Sequence, residues 1–272
     1  MKLCIIMGTM KAGTTSLYAY LRTHPEIYAS KVKEPSFFTE LSPTANQIAA
    51  YQELFAGISP TVWACEASTN YTKYPTFSGV PRRIHTMYPD ARFIYILRHP
   101  VERIYSHYIH NLAQGRERRG FETAVLGEDV HYLNVSRYYM QLSQYLEFFP
   151  PEHILVLIFE DFVRQVSETL QRIFAFLGIN QNFTPPNLQE KHNVSLQKTM
   201  AHPLLRTVQS KSLYTYIPSK LQHLIWHLLQ QPTPHKAALI TPAIQKKLMA
   251  NLIDDIDHLR SYLGTPIAAW GC

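Results

Sequence analysis

The chain has 272 residues and is 46% hydrophobic, enough to bury a sizeable core in one large domain or one domain with an appendage. No apolar run approaches the ~20 residues of a membrane span, and three scattered cysteines (Cys4, Cys65, Cys272) without a C-x-x-C exclude a zinc knuckle or a redox motif. The net charge of +6 suits a polyanionic ligand without specifying nucleic acid.

The opening "KLCIIMG" reads as a buried strand ending in glycine, not as a signal peptide. "TTSLYAYLRTH" then carries apolar residues at helical spacing and ends before Pro25. A short strand is predicted at "TVWACEA", and a short helix at "VPRRIHTMYP" between Pro81 and Pro89. "ARFIYILR" is a buried strand, followed by "PVERIYSHYIHNLAQG", a helix that begins at proline and ends at glycine. "SRYYMQLSQYLEFFP" predicts a helix and "HILVLIFE" a strand. "DFVRQVSETLQRIFAFLG" predicts one helix capped by Asp161 and stopped by Gly178. Residues 184–198 read as a polar loop, and the tail to about Tyr262 as mostly helical and packed on the sheet. Alternating strands and helices imply an α/β fold with a doubly wound parallel sheet and a ligand site at the carboxyl ends of its strands.

Gly8–Thr15 lies at such a strand end. Gly8 and Gly13 have the spacing of a Walker loop, but Thr14 stands where its lysine belongs and Lys11 lies inside the loop. Backbone N–H groups of a glycine loop and the following helix N-terminus cradle an anion. Thr14 and Thr15 add hydroxyl donors, and Lys11 adds a full charge. Metal-dependent kinase chemistry calls for the usual lysine and an acidic magnesium ligand at a strand end. Here "FIYIL" ends in Arg98 and His99, and a cation there suggests a second phosphate.

These segments resemble those of the sulfotransferases that use 3′-phosphoadenosine-5′-phosphosulfate (PAPS). "GTMKAGTTSL" is similar to their 5′-phosphosulfate loop and "ILRHPVERIYSHY" to their 3′-phosphate motif. "KEPSFF" resembles the KE-x-x-FF segment of heparan-sulfate-type and many bacterial members, and "CEASTNY" and "ILVLIFEDF" also match family segments. The resemblance covers roughly the first 180 residues and implies the family's P-loop-like fold. A single domain over 1–272 is expected, with an α/β core at 1–180 and a nucleotide-covering loop and helical tail at 181–272.

The resemblance implies roles for individual residues. Lys11 would reach the oxygen bridging the sulfuryl group and the 5′-phosphate. Ala12, Gly13, Thr14, Thr15 and Ser16 would hold that phosphate, and Arg98 and Ser106 the 3′-phosphate. Glu34 is the candidate general base, preferred over His107 and His110 because "KEPSFF" matches the glutamate branch. Lys191 and Lys198, in "EKHNVSLQK", are candidate 3′-phosphate contacts, although the "KG" pairing and the cysteine pair of other branches are missing there. PAPS is the expected co-substrate, and no metal is expected. Glu66 is expected either to position the acceptor or Lys11, or to form a structural ion pair.

The remaining motifs have plainer readings. Phe37 and Phe38 are expected to pack rather than contact substrate, and "RERR" at Arg116–Arg119 to be a solvated loop. His223 and His227 lack a third metal ligand, and "LQHLIWHLL" reads as an amphipathic core helix. The N-x-[ST] triplets at Asn70, Asn134, Asn182 and Asn193 are taken as chance. The partner expected is a small-molecule acceptor, with no nucleic acid and no membrane insertion, in the cytoplasm. A natural product leads, an alkaloid toxin of the saxitoxin type being one case, and an oligosaccharide or glycolipid follows. A P-loop nucleotide kinase and a non-catalytic nucleotide-binding protein are the rival classes. Acceptor specificity is expected in loops 40–60 and 115–135.

Overall fold

In a computed structural model, residues 1–186, 188, 199–201, 230–232 and 239–271 are described. Lys191, Lys198, Asn193, His223, His227, Cys272 and the segment 221–229, for which the sequence raises expectations, lie outside them.

Five parallel strands form the central sheet: β1 (Lys2–Gly8), β2 (Ile27–Ala29), β3 (Trp63–Ala67), β4 (Arg92–Leu97) and β5 (Ile154–Ile158), in the order β2-β3-β1-β4-β5. β1 and β3 are fully buried apart from Lys2, as befits parallel strands covered on both faces. Their alternating side chains feed two cores. Leu3, Ile5, Met7, Phe93, Tyr95 and Leu97 face one way, where α3 (Val80–Met87), α7 (Tyr138–Leu146) and α11 (Ile253–Leu263) pack. Cys4, Ile6, Cys65, Ile94 and Ile96 face the other, against α1 (Thr14–Leu21) and α9 (Val166–Leu177). The sheet is therefore doubly wound, as expected. Its strand order changes direction around β1, so the carboxyl ends of β1, β3 and β4 form the crevice where such sheets bind ligands.

A third cluster joins α4 (Pro100–Ala113), α5 (Phe121–Leu126), α6 (His131–Asn134) and α10 (Pro242–Ala250) through Ile104, Tyr108, Phe121, Leu133 and Leu248. The tail carries α10 and α11, and α11 packs on α7, where Asp255 accepts hydrogen bonds from the amides of Tyr139 and Met140 at 3.0 and 2.8 Å. A two-stranded antiparallel pair, β6 (Thr199–Ala201) with β7 (Gln230–Pro232), was not expected.

Three predicted elements are corrected. The helix expected to be capped by Asp161 is two helices: α8 (Phe159–Arg164) and α9, separated by Gln165 at φ −133°. Asp161 lies inside α8's first turn and pairs with Arg164 instead of capping. The stretch 40–60 contains α2 (Ala45–Glu53), opened by a reciprocal capping box between Thr44 and Gln47. The stretch 115–135 contains α5 and α6.

Candidate active site

The loop after β1 is shaped by steric necessity. A Cβ on Gly8 would lie 2.2 Å from Thr72 Oγ1, and one on Gly13, at φ +84°, would lie 2.9 Å from the Phe159 ring. Thr72 Oγ1 donates to Met7 O at 2.9 Å, and the Thr9 amide to Ile96 O at 2.7 Å, tying the loop to β3's extension and to β4. No side chain caps α1, whose N-terminus follows Gly13 directly. Ala12 and Thr14 are buried, Lys11, Gly13 and Ser16 half-buried, and Thr15 exposed.

Arg98, at the end of β4, joins this loop to α4. Its Nη1 donates to Ser106 Oγ at 2.9 Å and to Lys11 O at 3.3 Å, and its Nη2 lies 3.6 Å from Glu102. Its guanidinium lies 5.2 Å from the Phe159 ring centroid. Its buried Nε has no partner, so the side chain keeps an unsatisfied donor that a phosphate oxygen fits. The structure thus brings Arg98, Ser106 and the Lys11 backbone together. Glu160 Oε1 accepts from the His99 amide at 2.9 Å, which steadies the start of α4; sequence reasoning missed this contact, because 61 residues separate the two.

Glu34 reaches the same crevice from β2's side. Its amide donates to Ala67 O at 2.9 Å, at the carboxyl end of β3. Oε2 accepts from the Thr69 amide at 2.9 Å and from Thr69 Oγ1 at 3.1 Å, while Oε1 pairs with Lys33 at 2.9 Å. Among the described residues, only Lys11 (φ 76°), Glu34 (φ 61°) and Ser36 (φ 51°) adopt positive φ without being glycine. Each such residue costs on the order of 1 kcal/mol. Strained backbone of this kind clusters at functional sites. Two of the three are the residues expected to do chemistry, and the third is held by Ser68 Oγ, which accepts from the Ser36 amide at 3.0 Å.

Behind Glu34 lies Glu66, fully buried on β3. Tyr51 and Tyr71 donate to its Oε1 at 2.8 and 3.1 Å, and Ser68 to its Oε2 at 2.6 Å. Where an ion pair was one expectation, its partners among the described residues are these three hydroxyls. Burial pushes its carboxyl up to about 7 against the pull of the three hydroxyls. The folded carboxyl keeps its proton up to about that pH, whereas the unfolded one has the ordinary value of 4.5. Its contribution to stability, roughly 3 kcal/mol, is therefore fully present below about pH 4.5 and lost as pH rises through about 7. Glu66→Gln should gain stability relative to the wild type across that window, read as the pH dependence of the Tm difference. A constant difference would mean that Glu66 titrates normally.

Phe37 stacks on Tyr51 at 4.5 Å and Phe38 packs edge-on against Tyr51 and Tyr71, as expected of packing residues. In the "RERR" run Arg116 and Arg118 are exposed, but Arg119 bridges Glu117 at 2.7 Å and Asp129 at 3.1 Å. His107 is buried on α4, and burial with Arg103 beside it holds its imidazole well below the usual range. Among the described residues no group of three or more His, Cys, Asp or Glu is placed to hold a metal, and no helix is long and apolar enough to cross a membrane.

A glycine loop and an arginine thus stand at adjacent strand ends of a parallel sheet, where such folds bind ligands. Residues 30–185 match the model of the sulfotransferase family, and the chain belongs to that family. It is 27% identical over 215 residues to human heparan sulfate glucosamine 3-O-sulfotransferase 6, a match covering 76% of this chain and 59% of that protein's length. The fold is that of a sulfotransferase from Alicyclobacillus acidocaldarius, with a TM-score of 0.72 at 24% identity over 100% of this chain and 99% of the other. Mouse sulfotransferase SULT7A1 complexed with PAP also shares the fold, with a TM-score of 0.50 at 15% identity over 97% and 88% of the two chains.

Proposed function

We propose that this protein transfers the sulfuryl group of PAPS to a hydroxyl, or a nitrogen, of a small-molecule acceptor, leaving adenosine 3′,5′-bisphosphate. The observation that carries this reading is Arg98, which bonds Ser106 on one side and the Lys11 carbonyl on the other. The loop and Arg98 therefore lie within hydrogen-bond reach of each other, which supports a nucleotide bearing both 5′ and 3′ phosphates.

PAPS supplies the sulfuryl group; binding, orientation and proton transfer fall to the chain. Ala12 to Ser16 hold the 5′-phosphate through loop amides and hydroxyls. Lys11 puts an ammonium where the departing oxygen gains charge. Arg98 and Ser106 hold the 3′-phosphate, with Lys191 and Lys198 as further contacts. Glu34 takes the proton of the acceptor group. No divalent metal enters this scheme. The whole chain acts as one domain, a reading supported by the packing of α11 and Trp270 into the sheet's core cluster. The free buried thiols Cys4 and Cys65, aligned on neighbouring strands, fit a cytoplasmic location.

Calorimetry with adenosine 3′,5′-bisphosphate, AMP and ATP in EDTA tests this. Tight binding of the bisphosphate alone is expected; preference for ATP, or binding only after magnesium is added, would favour the kinase. Arg98→Ala should weaken bisphosphate binding about 30-fold or more and AMP binding far less, because it removes charge-assisted hydrogen bonds to one phosphate. Equal losses for both ligands would move Arg98 away from the 3′-phosphate. A natural product is the first acceptor class proposed. An oligosaccharide is the second, favoured by the relative named for heparan sulfate.

A further inference from the structure

On α4, Ser106 turns to Arg98. Arg103, His107 and His110, spaced four and three residues apart, share the same side of the helix with it. Lys73 follows the short helical turn Thr69–Thr72, whose Thr69 holds Glu34, and its partner Asn70 donates to Ser36 Oγ at 3.1 Å. Three residues beyond Lys73, Thr76 Oγ1 lies 3.4 Å from His131 Nδ1 at the start of α6, and the rings of His131 and His107 lie 5.5 Å apart. The segment from Thr69 to Thr76 therefore runs from the candidate base to His131 and His107.

The charges of this cluster do not balance. Arg103 is fully buried, yet among the described residues only its Nη2 has a partner, the Tyr132 carbonyl at 3.0 Å, and Nε and Nη1 have none. His107 Nδ1 is likewise buried without a partner. The groups around Arg103 are the phenols of Tyr95, Tyr132 and Tyr138. Lys73 Nζ donates to Asn70 Oδ1 at 2.7 Å. Among the described residues no carboxylate lies within ion-pair distance of Arg103 or Lys73. The nearest acids are engaged elsewhere: Glu34 with Lys33, and Glu117 and Asp129 with Arg119. Burial, with Arg103 adding to it, pushes the Lys73 ammonium down to about 8, and Glu34 offsets this only in part. A desolvated cation whose partners are neutral is costly, and half-buried Lys73, bonded to the Asn70 amide oxygen, is balanced by an anionic ligand.

We propose that Lys73, with His107 and His131 beside it and Arg103 behind, binds an oxyanion of the acceptor, a carboxylate or a sulfate, next to the hydroxyl that Glu34 deprotonates. This rests on the sulfotransferase reading and narrows it: the acceptor is anionic. An alkaloid carrying a protonated nitrogen meets repulsion at this position, which turns the assignment away from toxins of that kind. An acidic sugar or a carboxylated natural product fits it.

The test is calorimetric, on the protein saturated with adenosine 3′,5′-bisphosphate. The probes are 4-nitrophenyl β-D-glucuronide, the 6-sulfate of 4-nitrophenyl β-D-glucoside, and the neutral glucoside, which share ring and aglycone. Both anionic glycosides should bind at least about 10-fold more tightly than the neutral one. The stronger of the two names the oxyanion. Lys73→Met should abolish most of that preference and Lys73→Arg should retain it, with bisphosphate affinity unchanged in both, which also verifies that the variants fold. Equal binding of the three glycosides, no binding of any, or a preference that survives in Lys73→Met would overturn the proposal. Failure to bind the bisphosphate, with the glycoside preference intact, would sink the sulfotransferase reading and leave an anion site.

Discussion

Lys11→Ala is expected to lower turnover by about 10²-fold or more while leaving bisphosphate binding within a few-fold of wild type. The asymmetry follows from where the charge is needed. On the proposed reading, loop amides and the N-terminus of α1 would already share the phosphate charge in the ground state. As the S–O bond breaks, new charge appears on the bridging oxygen, and only a group placed there stabilises the transition state more than the bound donor. The substitution is clean on the backbone side. Lys11 sits at φ 76°, and alanine bears that conformation no worse than lysine does. Lys11→Gly, which removes both the ammonium and the strain, should therefore be as inactive as Lys11→Ala yet melt at a higher temperature. The measurement is bisphosphate release from PAPS in the presence of acceptor, paired with thermal melts. Near-wild-type rates in Lys11→Ala would refute the mechanism without touching the fold.

The parts of this site that could be read in the sequence are those in which neighbouring residues do one job. The glycine spacing around Lys11, and Arg98 eight residues before Ser106 across a strand–helix junction, are local patterns, and the structure joins them by hydrogen bonds. β1, β3, β4 and β5 were legible as short apolar runs, whereas the three-residue β2 (Ile27–Ala29) was too short to show a pattern and was not predicted. α2 was legible and overlooked, because Thr44 and Gln47 spell a capping box. What could not be read is what the fold assembles from distant segments. Glu66 is caged by Tyr51 from α2 and Tyr71 from the turn after β3. Lys73, His107 and His131 come from three elements and carry no spacing signal. The break at Gln165 had no proline or glycine to announce it. Positive φ at Glu34 and Ser36, on either side of Pro35, is likewise unforeseeable, since proline restrains its predecessor towards extended backbone.

That strained turn bears on the second large effect. Glu34→Gln is expected to reduce turnover by about 10²- to 10⁴-fold, the usual worth of a positioned general base, without weakening bisphosphate binding. Glutamine preserves the shape and can still accept from the Thr69 amide and hydroxyl, so the turn from Glu34 to Ser36 should stay in place. What it loses is the capacity to take a proton. In the wild type, Oε2 is committed to Thr69, whereas Oε1, among the described residues, has Lys33 as its partner and keeps a lone pair for the acceptor hydroxyl. The competing base is His107, an imidazole held neutral by burial and by the cations around it. A neutral imidazole can accept a proton, but forming a second cation beside Arg103 and Lys73 opposes the transfer, while protonating Glu34 creates no new positive charge. Parallel kinetics of Glu34→Gln and His107→Asn decide between them. Loss of rate in the first with the second retaining most of it supports Glu34. The reverse pattern would assign the base to α4 and leave Glu34 as a residue that orders the turn.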